Sequence, residues 1–157
     1  MMTTRTTRIL LLDDAYDSMW PLKSFLESLG SYEVILTAQA DVIHRLAHEA
    51  FDLVCIDIMI HPKSLDADGN EVENVQFPGV NWQKTGIAFL QHLRNGEFAN
   101  GKEQATSPDV PVLILSAVAE YSLQEIKTSF NQFTRYMEKP FDVGDFLKTV
   151  EQLLQPV

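Results

Sequence analysis

The chain has 157 residues, the size of one ordinary domain, and 45% of them are apolar, enough for a packed core and too many for a disordered chain. Its 12 lysines and arginines face 22 acids, and the net charge of −10 argues against binding nucleic acid or an anionic membrane through overall charge. The same balance suits a cation site or basic partner proteins.

The first residues lead into Ile9, Leu10, Leu11 and Leu12. This run is too short for a signal-peptide core, and two aspartates close it without a small-residue cleavage site. It reads as a first strand, buried on both faces. Leu22, Phe25, Leu26 and Leu29 then recur at helical spacing, and Gly30 ends that helix. Pro21 lacks an N–H and belongs in a first turn, so a cap near Ser18 is expected, or else a kink. Residues 34–36 form a second strand. Val42, Ile43, Leu46, Ala47 and Ala50 make the stripe of a second helix. His44 and His48 fall on its polar face, lack a His-Glu-x-x-His pattern and read as solvated.

Residues 53–56 form a third strand. Cys55 within it is the lone cysteine, which excludes an internal disulfide and suits a reducing compartment; it reads as a small buried apolar residue. Residues 59–85 show no helical or strand period and hold several turn formers, so they read as a long loop. Asp66, Asp68 and Asn70 hint at a calcium loop but lack the EF-hand spacing, and a flexible acidic insertion is the better reading. Ile87, Leu90 and Leu93 mark a third helix. Residues 96–102 nearly spell a phosphate-binding loop, but Glu103 replaces the required Ser or Thr and a helix precedes them, so they read as an ordinary loop. Residues 110–115 form a fourth strand. Ser122-Leu123-Gln124-Glu125 reads as a capping box ahead of Ile126 and Phe130, which gives a fourth helix. Residues 133–138 are a weaker fifth strand. Val143, Phe146, Leu147, Val150, Leu153 and Leu154 form the clearest helix, with Asp142 as N-cap and Asp145 in its first turn.

This alternation implies an α/β fold: a flavodoxin-like, doubly wound, five-stranded parallel sheet, order 2-1-3-4-5, with helices on both faces. Residues 1–157 read as a single domain with a long insertion at about 60–85. No apolar run approaches the length of a bilayer span, and a soluble cytoplasmic protein is expected.

Ligands of such sheets bind beyond the carboxyl ends of the strands. There the sequence places Asp13 and Asp14, Asp57, Ser116 and Lys139. Carboxylates packed together repel, and a divalent cation relieves this; Mg²⁺ takes one or two carboxylates with waters and phosphate oxygens. A lysine supplies charge for a phosphate, a serine a hydrogen bond, and an aspartate beside the cation can act as a nucleophile. In-line phosphoryl transfer is the chemistry such a set could perform.

The sequence resembles the receiver domain of two-component response regulators (the CheY-like domains). The matching pieces are Leu11-Leu12-Asp13-Asp14, Asp57-Ile58-Met59-Ile60, Gly86-Ile87-Ala88-Phe89-Leu90, Pro111-Val112-Leu113-Ile114-Leu115-Ser116-Ala117 and Lys139-Pro140-Phe141-Asp142, in the family's order across nearly the whole chain. The resemblance implies that Asp57 is the phosphoacceptor, fed by a histidine kinase or a histidine phosphotransfer protein. It implies that Asp13, Asp14 and Asp57, with the Met59 carbonyl, hold Mg²⁺. It further implies that Ser116 and Lys139 bind the phosphoryl group, that Ser116 and Tyr136 form the switch, and that the Lys139–Pro140 bond is cis. Output would be contact with a downstream protein target. The last helix offers a route to a homodimer, although its stripe is mainly a core face. Such a protein is a signalling protein that catalyses only its own phosphorylation and dephosphorylation. Apolar residues at Met59 and Val118 would make loss of the phosphoryl group slow.

The chain also departs from the family pattern. His61 occupies the usual proline position, with Pro62 one residue late, and the matching glycine is Gly86, so about twenty extra residues follow strand three. Asn131-Gln132-Phe133 replaces the usual Gly-Ala. A pseudo-receiver that binds without phosphotransfer is the alternative. A Mg²⁺-dependent phosphatase of the haloacid dehalogenase type would need a general acid where Met59 stands and its nucleophile on the first strand. A flavin site would need a first loop that does not repel phosphate as Asp13-Asp14 does.

Overall fold

The computed structural model describes residues 5–66, 68–99, 101, 103–117 and 131–155. In chain order the elements are β1 (Thr7–Leu12), α1 (Tyr16–Ser28), β2 (Tyr32–Thr37), α2 (Val42–His48), β3 (Leu53–Asp57), β4 (Lys63–Leu65), β5 (Glu71–Glu73), a 3₁₀ turn (Trp82–Lys84), α3 (Thr85–Arg94), β6 (Val112–Ser116), β7 (Thr134–Glu138) and α4 (Val143–Leu154). The fourth helix expected around Ser122–Phe130, and Val118, lie outside the described residues.

Five strands form the parallel sheet, in the order β2-β1-β3-β6-β7, as the alternation implied. Side chains alternate along each strand, and β1 shows the result. Ile9 and Leu11 join Met19, Leu22 and Leu26 of α1 and Phe146 and Val150 of α4 in one core. Leu10 and Leu12 join Val42 and Leu46 of α2 and Phe89, Leu90 and Leu93 of α3 in the other. The helices therefore cover both faces. Among the described residues no helix is long and apolar enough to cross a membrane.

Three local outcomes bear on the site. Helix α1 starts at Tyr16, ahead of the expected Ser18 cap, and carries Pro21 inside it. The Asp142 carboxylate caps α4 by accepting the Gly144 N–H at 2.7 Å and the Asp145 N–H at 3.2 Å. The segment read as a structureless loop instead folds as an antiparallel β4–β5 hairpin. Its turn is closed by Asp66, whose Oδ1 accepts the N–H groups of Asp68 and Asn70 at 2.9 Å each, so this carboxylate serves the turn. The hairpin is tied to the β2–α2 connection by a bridge between Gln39 and Asn74, with the Val75 N–H donating to the Ala38 carbonyl at 2.8 Å.

Candidate metal and phosphoryl site

Four connections converge at the carboxyl edge of the sheet. Strand β1 ends into Asp13 and Asp14, β3 ends in Asp57, β6 ends in Ser116, and Lys139 follows β7. Asp13, Asp14 and Asp57 each offer a carboxylate oxygen, and these oxygens lie within 4.8 Å of one another. Lys139 lies beside two of them. Its Nζ is 2.7 Å from Asp13 Oδ2 and 3.6 Å from Asp57 Oδ2.

Each acid is held by a different donor. The Ala15 N–H donates to Asp13 Oδ1 at 2.8 Å. The Met59 N–H donates to Asp57 Oδ1 at 3.3 Å. Asp14 Oδ2 accepts both the backbone N–H and the Nδ1 of His61, at 2.8 Å each. A carboxylate only accepts, so Nδ1 carries the proton in this pairing.

The electrostatics follow from one ammonium facing three acids. Burial is the main force pushing the Asp57 carboxyl up to about 7, and the Asp13 charge adds to it. Lys139 and the Met59 N–H pull the other way, and Asp14 pushes up further. Burial works against the Lys139 charge, but Asp13 and Asp57 overcome it and hold its pKa above the usual lysine value. The Asp57 carboxyl is therefore poorly compensated by protein charge. An all-oxygen donor set with surplus negative charge fits a hard divalent cation of the Mg²⁺ type.

The remaining predicted residues fall as follows. Ser116 is fully buried, and its carbonyl accepts the Lys139 N–H at 2.7 Å. The Lys139–Pro140 bond is cis. The Met59 side chain packs against the core on the α2–α3 face, so any role at the site falls to its backbone. Tyr136 packs against the same core, in register with Ile114. Gly86 opens α3 directly over Asp57: its N–H donates to the Ile58 carbonyl at 2.8 Å, and a Cβ there would collide with the Asp57 carbonyl oxygen. Beside Lys139 a cleft of about 420 Å³ is lined by Ser18, Leu22, Ala117, Phe141 and Val143. His44 and His48 are exposed on α2 and are not part of the acidic group. Two residues at the site escaped the sequence reading. His61 was visible only as a departure from a family pattern, and Trp82, stacked on it with ring centroids 4.2 Å apart, carried no signal.

No family model matches the sequence, and no curated protein matches it. Solved structures do match. A CheY-like response regulator receiver domain from Methanospirillum hungatei is 20% identical, with 95% of this chain and 94% of that chain covered and a TM-score of 0.62. The receiver domain of a sensor histidine kinase from Pseudomonas aeruginosa, with magnesium coordinated in its active-site cleft, is 18% identical, with 95% and 98% covered and a TM-score of 0.64. The Vibrio cholerae chemotaxis protein CheY4 is 20% identical, with 95% and 99% covered and a TM-score of 0.62. The class is thereby defined: the chain has the fold of response regulator receiver domains. What sets it apart within that fold is the β-hairpin after β3.

Proposed function

We propose that this chain is a phospho-accepting receiver, with Asp57 as the phosphoacceptor and Asp13, Asp14, Asp57 and the Met59 carbonyl as the Mg²⁺ ligands. The observation that carries this reading is the convergence of three carboxylates and one ammonium at a single strand edge. The donor is the phosphohistidine of a histidine kinase or a histidine phosphotransfer protein. The Asp57 carboxylate attacks phosphorus, the N–P bond breaks, and the imidazole keeps the electron pair. When bound, Mg²⁺ supplies positive charge to the acids and to the transferred phosphoryl oxygens. Lys139 adds charge to a phosphoryl oxygen, and the Ser116 hydroxyl donates to another. The cleft beside Lys139 gives the donor an approach. The switch comprises Ser116 and Tyr136, and output is a changed contact with a downstream protein in the cytoplasm.

Intact mass after incubation with acetyl phosphate and Mg²⁺ tests the reading. The wild type is expected to gain one phosphoryl group and Asp57→Asn none. Gain by the variant would move the acceptor elsewhere. Failure of the wild type with both acetyl phosphate and a panel of phosphorylated kinases would favour a pseudo-receiver.

A further inference from the structure

Asp14 differs from its neighbours in what holds it. Asp13 is held by its own turn and by Lys139, and Asp57 by the N–H two residues on. The two donors on Asp14 Oδ2 both belong to His61, across 47 residues of sequence. His61 is fixed in turn on two further sides. Its carbonyl accepts from Asn74 Nδ2 at 2.9 Å, and its ring lies on Trp82 at an interplanar angle of 25°. Asn74 is buried at the end of the hairpin and also donates to Ser64 Oγ at 3.0 Å. The Trp82 carbonyl accepts the Ile60 N–H at 3.2 Å. The end of the hairpin and the 3₁₀ turn thus both close on the residue that grips Asp14.

From this we infer that His61 is a positioning residue for the cation, and that the inserted segment sets the Mg²⁺ affinity of the acidic site through it. With two N–H donors on Oδ2, the Asp14 carboxylate is fixed in orientation and Oδ1 is left for the ion. Groups that orient a metal-binding carboxylate in this way typically change metal affinity by about 10- to 100-fold when removed. The inference rests on reading the three acids as a cation site, as proposed above.

The test is Mn²⁺ binding to the full chain, followed by the free-ion electron paramagnetic resonance signal, with Mg²⁺ in competition. His61→Ala is expected to weaken both ions about tenfold. His61→Asn places an amide N–H near the position of Nδ1 and is expected to restore affinity to within about threefold. Thermal unfolding of each variant without metal separates misfolding from the effect. Equal affinity of His61→Ala and wild type overturns the inference, as does an Asn variant as weak as the Ala variant, or a wild type that binds neither ion. Phosphoryl gain measured on the same samples keeps the two readings apart. A His61-dependent affinity without phosphoryl gain preserves the positioning role and removes the phosphoacceptor reading. Phosphoryl gain with affinity indifferent to His61 does the reverse.

Discussion

The β1–α1 turn and the β3–α3 connection meet at the same acids and work in different ways. The first is short, and the Ala15 N–H closes on Asp13 two residues back. The second runs through residues 58–84 and grips Asp14 from outside. A short turn can aim a side chain with its own backbone. A long one can do so only after it has closed on itself, because an open loop of that length pays too much conformational entropy to hold a side chain still. Here closure comes from backbone hydrogen bonds at the base. The Ile60 N–H meets the Trp82 carbonyl at 3.2 Å, and the Gly86 N–H meets the Ile58 carbonyl at 2.8 Å. Strand β3 and helix α3 consequently sit as if joined directly, and the excursion between them is free to take on a task of its own.

The sharpest way to break this arrangement is at its seam. Gly86→Ala puts a Cβ into the Asp57 carbonyl oxygen and 2.7 Å from Ile58 Cα, both backbone atoms that cannot swing aside. A loss of about 3 kcal/mol in urea unfolding is expected, and a loss under about 0.5 kcal/mol would mean that the seam is not tight.

Next comes the charge where the long connection begins. Without divalent cation, the folded chain keeps Asp57 protonated up to about 7. Below about pH 4 the carboxyl is protonated in folded and unfolded chains alike, so it makes no difference to stability. As pH rises toward 7 the unfolded chain ionises first, so this group lowers stability with rising pH. Asp57→Asn removes the penalty and should stabilise the metal-free protein by about 2 kcal/mol at pH 8, with little change at pH 4. Equal slopes of stability against pH for the two proteins would place the penalty elsewhere.

The anchor of the long connection is smaller in effect. Asn74→Ala leaves the His61 carbonyl and the Ser64 hydroxyl without their amide donor. About 1–2 kcal/mol is expected, with faster amide exchange in the hairpin and unchanged exchange in β1. Exchange that rises equally in both would merge the two regions into one cooperative unit. The smallest effect is at the tip, where Asp66→Ala opens the turn for about 0.5 kcal/mol, read as faster exchange at Asp68 and Asn70 alone.

The same contrast explains what could be read from the sequence. Asp13, Asp14, Asp57, Ser116 and Lys139 were legible because each sits at a strand end, and parallel strands bring their carboxyl ends to one edge. The hairpin was not legible. Its strands have three residues each, too few to show a period, and its anchors Gln39 and Asn74 are remote in sequence. His61 stands out in the sequence only as an oddity, and its pairing with Asp14 is a long-range contact that no local pattern encodes. Helix α1 starts early because Asp13 turns the chain through the Ala15 N–H, and its second turn carries Pro21.

The position of β1 has a consequence for how the protein is made. This strand lies between β2 and β3 and feeds both cores, yet it leaves the ribosome ahead of both neighbours. Its partners Tyr32–Thr37 and Leu53–Asp57 follow much later. At typical rates of synthesis Ile9, Leu10, Leu11 and Leu12 wait roughly several seconds for β3, bare on that side, in a nascent chain open to chaperones and to wrong partners. A strand that feeds both cores of the finished molecule thus stands open while it is made.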